Sequence, residues 1–127
     1  MDKKVINTKE APAPIGPYQQ AILAGNTLYI SGQISIDVET DQLIKGDIQA
    51  ETHQVMKNLK AILSAADMAF DNVIKSSIFV TDINNFGEVN NIYGKYFSGD
   101  NVPARETVQV AALPKGVHVE ISMIAGK

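Results

Sequence analysis

From Gln20 to Ile34 the chain alternates apolar and polar positions on either side of Gly25-Asn26, the pattern of two antiparallel strands joined by a two-residue turn. Such a turn pairs Ala24 with Thr27, Ile22 with Tyr29, Gln20 with Ser31 and Tyr18 with Gln33. One face then holds Ala21, Leu23, Leu28, Ile30 and Gly32 and is expected to be core. The other gathers Tyr18, Gln20, Ser31 and Gln33 into a polar patch, either a solvated face or one wall of a site. Between residues 47 and 67 the period changes to that of a helix. Ile48, Thr52, Val55, Leu59, Ile62 and Ala66 form one stripe, flanked by Met56 and Leu63, with Asp47 as N-cap and His53 on the solvent side. Residues 73–81 alternate again and read as a strand. Asn85 and Glu88 resemble the start of a second helix, whose stripe is Phe86, Val89, Tyr93 and Phe97. Asn90 sits on the edge of that stripe, where it could hold a nearby loop or serve a site. Residues 10–17, rich in proline, predict an extended loop, and 37–46 a polar loop.

The last quarter reads as two alternating strands around a Pro114-Lys115-Gly116 turn. With an N-terminal strand at 4–8 the predicted order is β-β-β-α-β-α-β-β, an α+β fold with both helices on one sheet face. Thr107, Gln109 and Ala111 share a strand face with Arg105, and His118, Ser122 and Ile124 share one with Glu120. These semi-polar faces suit subunit packing better than a monomer's exterior. An arginine can grip a carboxylate at two points and a glutamate can activate water. In a hairpin, however, Arg105 and Glu120 stand roughly 20 Å apart at ~3.3 Å per residue. Either they are unrelated, or they meet across a subunit boundary.

Composition narrows the chemistry. A chain of 127 residues, 45% hydrophobic and 20% charged, predicts one globular domain spanning 1–127. It has no cysteine, which removes disulfides, thiol nucleophiles and thiolate metal sites, and its two histidines lack metal-ligand spacing. No metal is expected. No run has the length of a signal peptide core or a membrane span, which predicts an intracellular, cytoplasmic protein. A net charge of −3 with dispersed lysines argues against a nucleic-acid partner.

Several ordered strings carry a resemblance: Ala13-Pro14-Ile15-Gly16-Pro17-Tyr18, Ile30-Ser31-Gly32-Gln33-Ile34, Val89-Asn90, Pro103-Ala104-Arg105, Leu113-Pro114-Lys115-Gly116 and Val119-Glu120-Ile121. Together they resemble the RidA/YjgF family of enamine/imine deaminases along essentially the whole chain. The resemblance implies a chorismate-mutase-like fold and a homotrimer with a site in each cleft between subunits. It also implies cofactor-free hydrolysis of 2-imino acids, such as 2-iminopropanoate and 2-iminobutanoate, to 2-oxo acids and ammonia. Under it, Arg105 clamps the substrate carboxylate and Glu120 activates water. Tyr18 and Ser31 flank the substrate, Gly32 permits close approach, and Asn90 and Thr107 lend support.

Three positions depart from the family's pattern. Glu106 follows the arginine where a small neutral residue is usual, and alternation is expected to turn it to the other face. Thr107 stands where some relatives carry cysteine. Thr40-Asp41 replaces Thr-Gly, which implies a change of turn. Two competing readings remain: a regulatory trimer that only binds small 2-oxo or amino acids, and a ribonuclease or translation inhibitor. Retention of Glu120 favours the enzyme over the first, and the acidic net charge weighs against the second.

Overall fold

The computed structural model describes residues 1–127. Six strands form one sheet: β1 (Lys3–Ile6), β2 (Ala21–Ala24), β3 (Thr27–Gln33), β6 (Val73–Val80), β7 (Ala104–Gln109) and β8 (Val119–Gly126), in the spatial order β1-β2-β3-β8-β6-β7. Two short strands, β4 (Ile36–Asp37) and β5 (Gln42–Leu43), make a separate hairpin where a polar loop was expected. Asp41 closes it with a φ of 58°, a left-handed conformation that aspartate tolerates better than most residues, so the change from Thr-Gly is indeed accommodated in a turn.

Helix α1 (Ile48–Ala65) starts as predicted, with Asp47 accepting from the Gln49 amide at 3.0 Å. Its buried stripe packs, with Val89 and Tyr93 of α2 (Phe86–Gly94), against one sheet face made of Leu28, Ile30, Ile78, Val119, Ile121 and Met123. Asn85 occupies the N-cap position of α2, but its side chain caps nothing. Asp82 instead caps the preceding 3-10 turn by accepting from the Asn84 amide. His53 is not simply solvated. It is half-buried, with Nδ1 2.8 Å from the Tyr96 hydroxyl.

The hairpin expected at the C-terminus does not form. β6 lies between β7 and β8, parallel to β7 and antiparallel to β8. The residue types explain the order. β6 buries Ser76, Ile78 and Val80 and pairs on both sides, whereas β7, with Arg105, Glu106 and Gln109, is too polar for the interior and takes the sheet edge. Helix α2 is then the crossover that a parallel pair requires.

The β2–β3 turn keeps its predicted register from Ala24↔Thr27 to Ala21↔Ile30, and then the pattern breaks. Against β8, Ile30 faces Met123 but Gln33 faces Ile121, so β3 carries one extra residue. The bulge turns Gln33 into the core and brings Gly32 beside Ser31 on the helix-free face, the reverse of the alternation expected for these two residues. Gln20 is buried too. Its side chain donates to the carbonyls of Thr8, Ala11 and Pro12 and accepts from the Thr8 amide, which ties down the proline-rich loop. Of the expected polar patch, only Tyr18 and Ser31 remain accessible.

Candidate functional site

The bulge in β3 builds a groove on the helix-free face. Ile15, Tyr18, Ser31, Gly32, Ile34, Pro114 and Glu120 line about 380 Å³ of it. Glu120 projects from β8 and lies directly over Gly32. A Cβ at position 32 would sit 2.6 Å from Glu120 Oε2 and 2.8 Å from its carboxyl carbon, so only glycine leaves room for the carboxylate in this position. Burial pushes the Glu120 carboxyl above the ordinary glutamate range. Ser31 Oγ donates to the Gln19 carbonyl at 2.6 Å, leaving the hydroxyl oxygen as an acceptor toward the groove. The Tyr18 hydroxyl accepts from the Ile15 amide at 3.4 Å, beside the same opening.

Arg105 stands elsewhere. Its partner across the ladder is Ser76, on the helix side of the sheet, whereas Glu120 pairs with Phe79 on the other side. β6 separates the two residues, and they are offset by three positions, which places their backbones about 14 Å apart at standard strand spacings. Within one chain they therefore neither share a face nor meet. The expectation that they are too distant holds, but the reason is an intervening strand and opposite faces, not a hairpin. Arg105 and Thr107 also do not belong to the uncovered face, since they pair with Ser76 and Ile78 on the helix side of the sheet.

Helix α2 prepares the arginine. Arg105 Nη1 donates to Asn90 Oδ1 at 2.8 Å, and the guanidinium carbon lies 5.0 Å from the Tyr93 ring centre and 5.5 Å from that of Phe86. Tyr93 is fixed in turn by donating its hydroxyl to buried Ser76 Oγ at 2.9 Å. Burial raises the Tyr93 phenol above its ordinary range, so it remains a neutral donor. Asn90 thus supports the arginine through a direct hydrogen bond. Two residues on the same strand complete this half. Thr107 Oγ1, two positions along from Arg105, is buried without a hydrogen-bond partner. Glu106 turns to the opposite face, as alternation demands, where it accepts from Ser77 and pairs with Lys75 at 2.9 Å; the Ser77 hydroxyl first, and then Lys75, hold its carboxyl below the usual range. It does not compete for the guanidinium.

Phe86 and Tyr93 read in the sequence only as core. Their signal is the spacing Phe86, Asn90, Tyr93, an amide between two aromatics on one helical stripe, which is a poor core but a good cradle for a planar cation. Sequence reasoning also passed over Glu51, a buried carboxylate on α1 that accepts from the His118 amide at 2.9 Å.

The site is thus two separated halves, one a caged arginine and the other a partly desolvated carboxylate beside small polar groups. The family model described as Endoribonuclease L-PSP matches residues 8–127. The 2-iminobutanoate/2-iminopropanoate deaminase of Rattus norvegicus is 52% identical over 97% of this chain and 89% of its own. Among solved structures, the Rid-family protein YyfA of Yersinia pestis, described as of unknown function, superposes with a TM-score of 0.96 at 52% identity, covering 99% of this chain and all of its own. TdcF of E. coli, solved with bound serine, superposes at 0.92 with 38% identity over 98% of each chain. With motifs, matched residues and structural superposition in agreement, this α+β chain of chorismate-mutase-like fold belongs to the RidA/YjgF family.

Proposed function

We propose that this protein is a cofactor-free deaminase that hydrolyses 2-imino acids, such as 2-iminopropanoate and 2-iminobutanoate, to 2-oxo acids and ammonia. Its working form is a homotrimer, in which Arg105 of one protomer faces the Glu120 groove of the next. The observation that carries this reading is the separation of the two halves. Each is prepared for chemistry, neither suffices alone, and within one chain they lie on opposite sheet faces.

In the cleft so formed, Arg105 grips the substrate carboxylate through two parallel hydrogen bonds. Its stacking on Phe86 and Tyr93 and its bond to Asn90 hold the fork in one plane, which orients the C=N carbon. Glu120 takes a proton from water as the water oxygen bonds to the imine carbon. Glu120 passes that proton to nitrogen, giving a carbinolamine, and then moves the hydroxyl proton to nitrogen as the C=O bond forms, the C–N bond breaks and ammonia leaves. The raised affinity of Glu120 for protons suits a base of this kind. Ser31, whose oxygen is free to accept, faces the substrate N–H groups, and Tyr18 closes the opening. Thr107 Oγ1, buried and unpartnered on the same strand face, offers a further donor beside the carboxylate. Such a catalyst would work in the cytoplasm, alongside the pyridoxal-phosphate enzymes that release enamines. No helix of the chain is long and apolar enough to cross a membrane.

The test is an assay in which a serine or threonine dehydratase generates the enamine and semicarbazide traps the imine. The protein should suppress the trapped product in proportion to its concentration. An unchanged trapping rate would leave only the binding reading, for which the serine in TdcF is the analogy. Gly32→Ala should fold normally but lower kcat about tenfold, because the new methyl displaces the Glu120 carboxylate by an ångström or so. Full activity in that variant would show that the carboxylate acts from another position.

A further inference from the structure

Helix α1 buries three polar side chains that the reaction leaves unused; Thr52 bonds back to the Ile48 carbonyl within the helix, whereas Glu51 and Asn58 reach outside it. They lie two helical turns apart and so share a face of the helix. Each holds one wall of the Glu120 groove. Asn58 Nδ2 donates to the carbonyls of Ile34 at 3.1 Å and Ile36 at 3.0 Å, beyond the bulge that presents Ser31 and Gly32, while its Oδ1 accepts from Gln54 at 3.0 Å. Glu51, with no exposed surface, accepts from the His118 amide at 2.9 Å and lies 2.6 Å from the Nδ1 of the same residue. His118 joins the turn that carries Pro114, the opposite wall, to the strand that presents Glu120 two residues on. That turn places Lys115 and Gly116 at φ of 58° and 70°, and Lys45 Nζ reaches the Lys115 carbonyl at 3.4 Å.

A desolvated carboxylate is costly in a core that an apolar side chain of similar size could fill. What it supplies is direction, since both of its oxygens act on one residue and fix His118 by backbone and ring together. We propose that Glu51 and Asn58 are positioning residues that set the separation of the two groove walls, and thereby the placement of the Glu120 carboxylate. This rests on the reading of Glu120 as the water-activating group.

The experiment compares full-length Glu51→Leu, Glu51→Gln and His118→Ala with wild type. It reads kcat and KM in the trapping assay and follows the Glu120 carboxyl by carbon-13 NMR titration. Tyr18 is the one other titratable side chain lining that groove. In Glu51→Leu, kcat should fall roughly tenfold with KM changed less than about twofold, because Arg105 belongs to the other half. The Glu120 midpoint should move down toward the ordinary range as water enters. Glu51→Gln should restore both readouts, since a carboxamide can accept from the His118 amide and donate to Nδ1 in the complementary tautomer. A folded Glu51→Leu protein with unchanged kcat and unchanged midpoint overturns the proposal, as does Glu51→Gln behaving like Glu51→Leu. If Glu51→Leu fails to fold, His118→Ala decides, since it removes only a half-exposed ring, and an unmoved Glu120 midpoint there overturns the idea. If wild type hydrolyses no imine, the deaminase reading fails by itself and the titration alone judges the positioning role.

Discussion

Arg105→Ala should lower kcat/KM for imine hydrolysis roughly 10²–10³-fold, the loss expected for two charge-assisted hydrogen bonds at ~1.5–3 kcal/mol each with partial replacement by water. Both parameters should suffer. The carboxylate loses affinity, and the C=N carbon loses the orientation that the fixed guanidinium plane imposes. Arg105→Lys should recover little, because a single ammonium can neither match two carboxylate oxygens nor stack as a plane on Phe86 and Tyr93. Folding should be spared, since Arg105 lies on the edge strand outside the core cluster. The measurement is steady-state kinetics beside a thermal melt of the same preparations. A stable variant with activity within about threefold of wild type would remove Arg105 from the clamp.

Glu120→Gln should reduce kcat about 10²–10⁴-fold while raising thermal stability at neutral pH. The two effects have one origin. Burial raises the carboxyl's pKa in the folded state above its unfolded value, so the acid form folds more favourably than the carboxylate. That stabilisation is complete below the ordinary glutamate pKa of ~4.3 and is lost as pH rises through the raised value. At pH 7 the wild type carries a disfavoured ionised group that glutamine does not, so the variant should melt higher, and the gap should close below about pH 4. Activity follows the ionised form, so the acid limb of the wild-type kcat profile should lie above ~4.3 and be absent from the residual rate of the variant. Calorimetry and a pH–rate profile check both halves. A variant that melts lower at pH 7 would mean that Glu120 is a structural anchor.

The elements were legible where local pattern dominates. Asp47 and the stripe of α1, the Gly25-Asn26 turn with its register, and the alternation of β6 and β8 all follow from periodicity and capping chemistry. Pairing beyond neighbours was not legible. A Pro/Gly turn between two alternating stretches suggests a hairpin, and only competition for central positions, won by the apolar β6 over the polar β7, separates β7 from β8. The extra residue in β3 was equally silent, because Ser31-Gly32-Gln33 alternates acceptably either way until packing against β8 buries Gln33. Arg105, Glu120, Tyr18, Ser31 and Asn90 stood out as polar residues on strand and helix faces, while their roles, and those of Gly32 and Thr107, came from the family motifs. Around them the structure shows no room for a Cβ beneath Glu120, an amide bonded to Arg105 and an unpartnered Thr107 hydroxyl. Phe86 and Tyr93 were hidden because an aromatic on an apolar stripe looks the same whether it fills a core or carries a cation.

The central claim is that Arg105 and Glu120 act together from different protomers. It is tested most directly by mixing the two inactive variants, Arg105→Ala and Glu120→Gln, in equal amounts under conditions that exchange subunits. Each working site needs an intact arginine from one protomer and an intact glutamate from its neighbour, so random assembly should restore about a quarter of wild-type activity. A mixture that exchanges subunits, as shown by mass spectrometry, yet stays as inactive as its parents would contradict the account.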